Sequence, residues 1–526
     1  MARLTAAVAG VFAIAAVVAA ILLSSGTTPP ASGAAAVVPA DALLYVHASI
    51  DPTRPSVQQA LASIGRLSGA RSLFASVTGR LDAMLAGSGG RPVDFVSEVM
   101  PWLGREAALA VLDTPGSSAG TLVVLGVRDR ARAQSFLAAQ SATTDGAYRQ
   151  VPLLRQPSGT TLALVGHYLV LGQAASVLAA IDTARHSAPS LAASSAYAHA
   201  TAGEPADRVL DFYAPAAGVT RALMPSAGLL GALGVLLYQP ALSAVSITVS
   251  PTAAGFAARV HSVLDPQVIS GPARQFTPSL AGVLPAGSTM LIDAANVRSA
   301  AAKFLAAAAK LGVAVRAGAL LERLGGALAA QGVSINQLFS IFGGETAFAV
   351  VPGHGGAGPA PVLVGRTPHP AAARAELGSL EEPLTQAFTP PSDGTGLVPQ
   401  ASDTTVAGAT VSELTLAPGL QFDWTVSHGL VVLSTSPAAI ASVIAHRTTL
   451  QDEASYQAST ASLPTRVTSL VFFDLGPLLR LGEQTGLIGS TALAALRPHL
   501  EQIRAIGLAS TSGGSDTTTQ LQLNIR

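Results

Sequence analysis

The sequence predicts an α+β protein built twice: two tandem homologous domains, each a largely antiparallel sheet with helices packed on one face, after an N-terminal transmembrane helix. Three observations predict it. The octapeptide GREAALAV at Gly104–Val111 returns as GGETAFAV at Gly343–Val350, paired apolar runs recur in the same order in both halves, and a long uncharged apolar stretch stands at the front. A chain of 526 residues has room for two such cores.

The front stretch, LTAAVAGVFAIAAVVAAILL at Leu4–Leu23, carries no charge over twenty residues. As a helix it spans roughly 30 Å, the thickness of a bilayer core. Arg3 precedes it and no charge follows before Asp41, so the positive-inside rule leaves the N-terminus cytoplasmic and the body extracytoplasmic. A cleaved signal peptide is the alternative. Its apolar region is usually shorter, and the nearest A-x-A-like site, Ala34–Ala36, lies far downstream. The expectation is a retained single-pass anchor in the cell membrane. Ser24–Ala36 then reads as a Ser/Pro/Gly tether, so residues 1–36 are tip, anchor and tether.

The first repeat is expected over 37–270 and the second over 271–526, with the junction in Asp265–Leu280. VVPADALLYVHASID (Val37–Asp51) resembles VLPAGSTMLIDAANV (Val283–Val297), LALVGHYLVLGQAASVLAAIDTAR (Leu162–Arg185) resembles WTVSHGLVVLSTSPAAIASVIAHR (Trp424–Arg447), and RVLDFY resembles SLVFFD. Tyr197 and Tyr456 head similar polar helices, and AVSITVSPTAAGFAARVHSVL answers the C-terminal AIGLASTSGGSDTTTQLQLNI. Segments matched in one unbroken order indicate duplication. Within each copy the octapeptide starts a strand, and two apolar runs around Gly166–His167 or His428–Gly429 form a hairpin. ASVLAAIDTAR and PAAIASVIAHR follow as helices by their 3.6-residue period. TTQLQLNI alternates strictly, predicting a strand with one wet face, and Phe256, Val260 and Leu264 opposite Arg259 and His261 predict its counterpart.

Composition excludes several function classes. Charged residues are 11% of the chain, the formal net charge is zero and mean hydropathy is +0.47. There is no basic field for nucleic acid. The absence of cysteine removes disulfides, thiolate metal sites and a lipid-modified cysteine anchor.

The anchor, the VPAD…YV entry strand, the G-x-E-x-A-x-A strand and the GHYLVL hairpin together resemble an uncharacterised bacterial membrane-anchored family, domain of unknown function 3352. The resemblance implies an envelope protein. It transfers no catalytic, cofactor or metal residue.

Chemical motifs are sparse. GSSAG at Gly116–Gly120 fits a nucleophile elbow around Ser118, and GHGGAG at Gly353–Gly358 fits a dinucleotide fingerprint. Both motifs require a following helix, whereas TLVVLGV and PAPVLVG follow as strands. Both read as hairpin tips. His167 and His428 read as turn residues, because neither has a second histidine at metal-ligand spacing. Glu106 and Glu345 are matched carboxylates; each is read as ending a strand and meeting a backbone donor or an arginine rather than doing acid–base work. Arg105 adjoins Glu106, and no basic residue adjoins Glu345 in sequence. Asp51 and Asp293 fall on or near the entry strands without aligning.

The copies differ in one place. Ser226–Tyr238, SAGLLGALGVLLY, lies in an uncharged stretch between Pro225 and Pro240, whereas its counterpart GSTALAALRPHLEQIRAIG carries Arg497, Glu501 and Arg504 and reads as an amphipathic surface helix. Leu229, Leu230, Leu233, Leu236 and Leu237 fall on one helical stripe. This apolar contact surface is expected to be covered by the other copy, a lipid, the membrane or an envelope protein partner. The function read from the sequence is non-enzymatic: binding an apolar ligand or protein partner, or scaffolding, at the membrane, with no nucleic acid and no cofactor. The rival is an extracytoplasmic hydrolase with a loop-assembled site.

Overall fold

A computed structural model of the chain describes residues 29–65, 93–113, 120–140, 142–223, 237, 240–268, 274–295, 341–342, 344–353, 355, 357–388, 398–417, 420–445, 447–484 and 501–525. The chain is α+β, with extensive antiparallel sheet and short helices. It divides into two compact units, Met1–Gly271 with Gly513–Gln520, and Pro272–Ser512 with Leu521–Asn524.

The first unit contains β1 (Leu44–Ser49), β2 (Leu103–Leu112), β3 (Gly120–Val127), β4 (Thr143–Tyr148), β5 (Val151–Arg155), β6 (Thr161–Val165), β7 (Tyr168–Gly172), β8 (Leu210–Pro215), β9 (Leu242–Thr252) and β10 (Gly255–Leu264). They pair antiparallel in the order β4–β5–β6–β7–β3–β2–β1–β8–β9–β10. The second unit contains β11 (Met290–Ala294), β12 (Thr346–Val351), β13 (Ala360–Arg366), β14 (Gln400–Val406), β15 (Ala409–Ala417), β16 (Leu420–Ser427), β17 (Leu430–Ser434), β18 (Ser469–Asp474) and all but the last residue of β19 (Ile503–Gly513), whereas β20 (Asp516–Ile525) is divided, Leu521–Asn524 grouping with the second unit and the rest with the first. Their order is β14–β15–β16–β17–β13–β12–β11–β18–β19–β20, the same path strand for strand. The octapeptide falls within β2, and its counterpart leads into β12.

Helices cover both faces of each sheet, not one as the sequence suggested. Leu44 and Val46 of β1 share a core with Phe136 and Leu137 of the helix Arg130–Ala139. Tyr45, pointing the other way, packs with Val177 and Ile181 of the helix Ala174–Ala184. In the second unit Val432 packs with Ile440 and Val443 of the helix Pro437–Ala445, and Val431 with Leu377 of the helix Pro370–Gly378. The central strands need apolar side chains on both faces, which is why β1 is buried at every residue and its sequence does not alternate.

Local signals place several elements. Asp129 caps the helix Arg130–Ala139 by accepting from the Arg132 amide at 3.0 Å. Thr449 and Asp452 form a reciprocal capping box. The hairpin turns form where expected. His428 and Gly429 both take positive φ (51° and 74°), whereas in the first unit Gly166 takes it (58°) and His167 does not.

Three further expectations change. On β20 the covered residues are polar, Gln522 and Asn524 each at 4%, whereas Leu521, Leu523 and Ile525 are half-buried. Asn524 donates to Ser459 Oγ at 2.9 Å, and Ser462 Oγ donates to Gln522. Hydrogen bonds to a short helix and the loop after it thus cover the face that alternation marked as wet. His261 on β10 is likewise buried, with Nδ1 2.8 Å from the Ala200 carbonyl. Finally, Arg504 lies on β19, not on an amphipathic helix, and Glu501 sits in the turn before it. The apolar spacing of IRAIGLAS also fits a strand, and pairing with β18 decides it.

Gly507 on β19 shows how tightly the short helix Ala454–Thr460 sits on the sheet, since a Cβ there would lie 2.0 Å from the Ser459 carbonyl oxygen. Gly507→Ala is expected to lower stability by about 1–3 kcal/mol, as overpacking does in a filled core. Denaturant unfolding of the variant against wild type measures it.

Candidate functional site

The described titratable groups converge most closely inside the first unit. His47 stands mid-strand on β1, opposite Ala108 of β2 and Asp211 of β8. Paired residues point to one face, so Asp211 lies directly beside the imidazole, and Glu106 reaches it diagonally from the head of β2. His47 Nδ1 donates to Asp211 Oδ2 at 2.7 Å, and Nε2 lies 3.4 Å from Glu106 Oε2. Tyr168 donates its hydroxyl hydrogen to Glu106 Oε1 at 2.8 Å, and the Ala34 amide donates to Oε2 at 3.1 Å. Tyr45 lies parallel to the imidazole on the same face.

An outer layer of charge surrounds this centre. Arg208 Nε contacts Asp211 and lies 3.1 Å from Glu204 Oε2. Arg54, 2% exposed, donates to the carbonyls of Arg208 at 2.9 Å and Ala206 at 2.7 Å, fixing the loop that delivers these groups.

Burial alone would lower the His47 value, but the Asp211 and Glu106 hydrogen bonds outweigh it and raise the group to about 9. Glu106 moves down: burial pushes its carboxyl up, and bonds from His47, Tyr168 and the Ala34 amide outweigh that. Glu204 is pushed up to about 7 by burial and then by Asp211, against the pull of Arg208. The centre is therefore an imidazolium between two carboxylates.

That arrangement limits the chemistry. A general base needs a free lone pair, and both nitrogens of His47 face carboxylates, Nδ1 at 2.7 Å and Nε2 at 3.4 Å. Ser49, two residues along the strand, is 4% exposed, and its hydroxyl has no hydrogen-bond partner. The nucleophile–base contact of a hydrolase is missing from this cluster. Among the described residues no group of three or more metal-ligating side chains could hold an ion.

The second unit repeats the glutamate but not the histidine. Glu345, just before β12, accepts from the Ser279 amide and hydroxyl and, at 2.9 Å, from the Leu280 amide. Arg366 of β13 approaches it at 3.8 Å. Glu106 and Glu345 both meet backbone donors, as their sequence positions suggested. The arginine beside Glu345 comes from a neighbouring strand, where sequence adjacency could not reveal it.

Of the remaining sequence candidates Asp293 lies beside Glu345, and the others do not join these centres. His167 and His428 are exposed turn residues. Asp51 accepts from the Thr53 amide at 3.0 Å and from its hydroxyl at 2.7 Å, with Arg105 at 3.5 Å. Ser118 lies outside the described residues, as do two positions of Gly353–Gly358; the described glycines lead into β13, not a helix. Leu237 is helical and 5% exposed within the first unit's own core, whereas Leu229, Leu230, Leu233 and Leu236 lie outside the described residues. His47, Asp211 and Arg208 were missed as a set. One signal was available: a lone histidine within the apolar run of LLYVHASI.

The sequence model of a family described as "Protein of unknown function (DUF3352)" matches residues 4–526. No curated protein matches the chain. Among solved structures it is similar to "Structure of crystal form III of TP0453" at 9% identity, over 46% of this chain and 83% of that one, with a TM-score of 0.25. "Structure of crystal form IV of TP0453" gives 9% identity, 45% and 85% coverage and a TM-score of 0.24. Overlap of that size is too slight to establish a common fold.

The cluster makes a specific stability prediction. His47 has a folded value raised from 6.5 to about 9, so its stabilisation is complete below 6.5 and is lost as pH rises through about 9. His47→Gln leaves two carboxylates buried without their cation and is expected to cost about 3–5 kcal/mol at neutral pH. Urea unfolding across that window should show the gap to wild type narrowing as pH rises.

Proposed function

The chain belongs to this family of proteins of unknown function, and we propose that it is a membrane-anchored, extracytoplasmic envelope protein made of two tandem copies of one domain. We further propose a non-enzymatic role: binding an apolar ligand or a protein partner, or scaffolding, next to the membrane. The observation that carries the non-enzymatic reading is His47, whose two nitrogens both face carboxylates inside a closed core. A cluster sealed in this way works as a strut.

The tandem reading draws support from the identical strand orders. It also draws on matched entry segments: Pro39 bridges Ser190 as Pro285 bridges Thr449, and Leu191 donates to the Val38 carbonyl as Leu450 donates to that of Leu284. The anchor reading rests on Leu4–Leu23, which lies outside the described residues. Among those that are described, no helix is long and apolar enough to cross a membrane. The leucine stripe from Leu229 to Leu237 is the proposed apolar contact surface.

N-terminal sequencing of protein isolated from membranes is expected to read from Met1 or Ala2; a terminus near Val37 would overturn the anchor. Leu233→Arg is expected to weaken capture of copurifying lipid or protein by the full-length chain. An unchanged melting temperature with reduced capture supports a contact surface, and a lowered one identifies internal core instead. Ester or glycoside hydrolysis by the purified chain, abolished by a point substitution, would overturn the non-enzymatic role.

A further inference from the structure

Strand register places Asp293 of β11 where β1 holds His47. His47 stands opposite Ala108 and Asp211, and Asp293 opposite Ala347 and Leu470. The second unit therefore puts an acid at the position of the cation and removes the acid that faced it. Asp293 is 0% exposed, and neither of its oxygens has a partner of good hydrogen-bond geometry.

Among the described residues its charged and titratable surroundings are few. Glu345 reaches it from the head of β12, Arg366 from β13, and Tyr456 from the helix Ala454–Thr460. β18 offers Leu470, and the helix Pro437–Ala445 has no charged residue. With both carboxyls ionised, a fully buried charge on Asp293 would face a second, partly buried acceptor, which is strongly unfavourable. A single proton removes the conflict, since a protonated Asp293 can donate to Glu345. Asp293 is the group that holds it, because Glu345 already accepts from Ser279 and Leu280 and lies beside Arg366.

We propose that Asp293 is a proton-operated latch: protonated, it donates to Glu345 and keeps that carboxylate on the Ser279 and Leu280 amides, and loss of the proton releases the entry turn of the second unit. Burial first, and then the Glu345 charge, hold the Asp293 carboxyl well above the usual carboxylate range, whereas the Ala294 amide and Arg366 act more weakly in the opposite sense. A raised folded value gives a contribution that is complete in acid and lost as pH rises through that value. In the first unit the corresponding place holds the His47 imidazole between Glu106 and Asp211 instead of a second carboxyl.

Hydrogen exchange of the amides from Ser279 to Leu284, followed by mass spectrometry on the full-length protein in detergent across a pH series, tests the latch. After correction for intrinsic exchange, protection should fall by up to about tenfold per pH unit as pH rises from the ordinary aspartate range toward the raised Asp293 value, and level off above it. Asp293→Asn keeps a donor for Glu345 at every pH and should give a flat, protected profile. A wild-type profile that does not change with pH overturns the latch without any variant. So does an Asp293→Asn profile that keeps the wild-type slope. Infrared difference spectra of wild type minus Asp293→Asn, taken below the wild-type transition, should show the carbonyl band of a protonated carboxyl. Its absence also overturns the assignment.

Discussion

In each unit a glutamate at the head of a central strand accepts hydrogen bonds from the backbone of the turn by which the chain enters the fold. Glu106 takes the Ala34 amide, and Glu345 takes those of Ser279 and Leu280. Such charge-assisted bonds are worth about 1.5–3 kcal/mol each, and their geometric effect reaches further. Holding the turn seats the following segment against the sheet, where Val38 and Leu284 are each 0% exposed and their carbonyls receive the amides of Leu191 and Leu450. The first strand of each unit follows that segment and lies between two antiparallel partners. If the glutamate failed, the turn, the segment and the short helix above it would lose their common support.

What stands beside that glutamate differs between the units. In the first, an imidazolium neutralises two carboxylates; in the second, a carboxylic acid faces one. Both solve the problem of charge in an apolar core, one with a counter-ion and one with a proton. The surrounding side chains agree with each solution. Asp211 is present where His47 needs a partner, and its place on β18 is taken by Leu470. Each polar core is coherent within its own unit, although the two occupy matching places in the sheets.

Much of the fold was legible because the signals were local. Gly-His and His-Gly between apolar runs announced the hairpins, and the period of ASVLAAIDTAR announced its helix. What failed depended on contacts distant in sequence. Two-sided coverage of the sheets could not be told from a one-sided arrangement, because runs such as TLVVLGV are apolar throughout. The reversed faces of β20 arose because Ser459 and Ser462 cover Asn524 and Gln522. The ionic centre was hidden for the same reason: His47, Glu106, Arg208 and Asp211 are separated by up to 164 positions, and only strand pairing joins them. Glu106 and Glu345 were visible as a matched pair, but the donors that define their role were not.

The docked entry turn also sets a length. Gly33–Ala36 is folded onto the first unit, with Ala34 and Ala35 at 0% and 2% exposure. Between it and the proposed anchor lies only Ser24–Ser32, which can extend over roughly 30 Å. With the proposed anchor in a membrane, a body on so short a leash would search a thin layer of bilayer surface, not bulk solution. For anything embedded in or attached to that layer, the effective concentration falls in the millimolar range characteristic of short flexible linkers. Binding on such a leash can therefore be weak in free solution and still nearly saturated at the membrane, and an affinity measured on a soluble fragment would understate it.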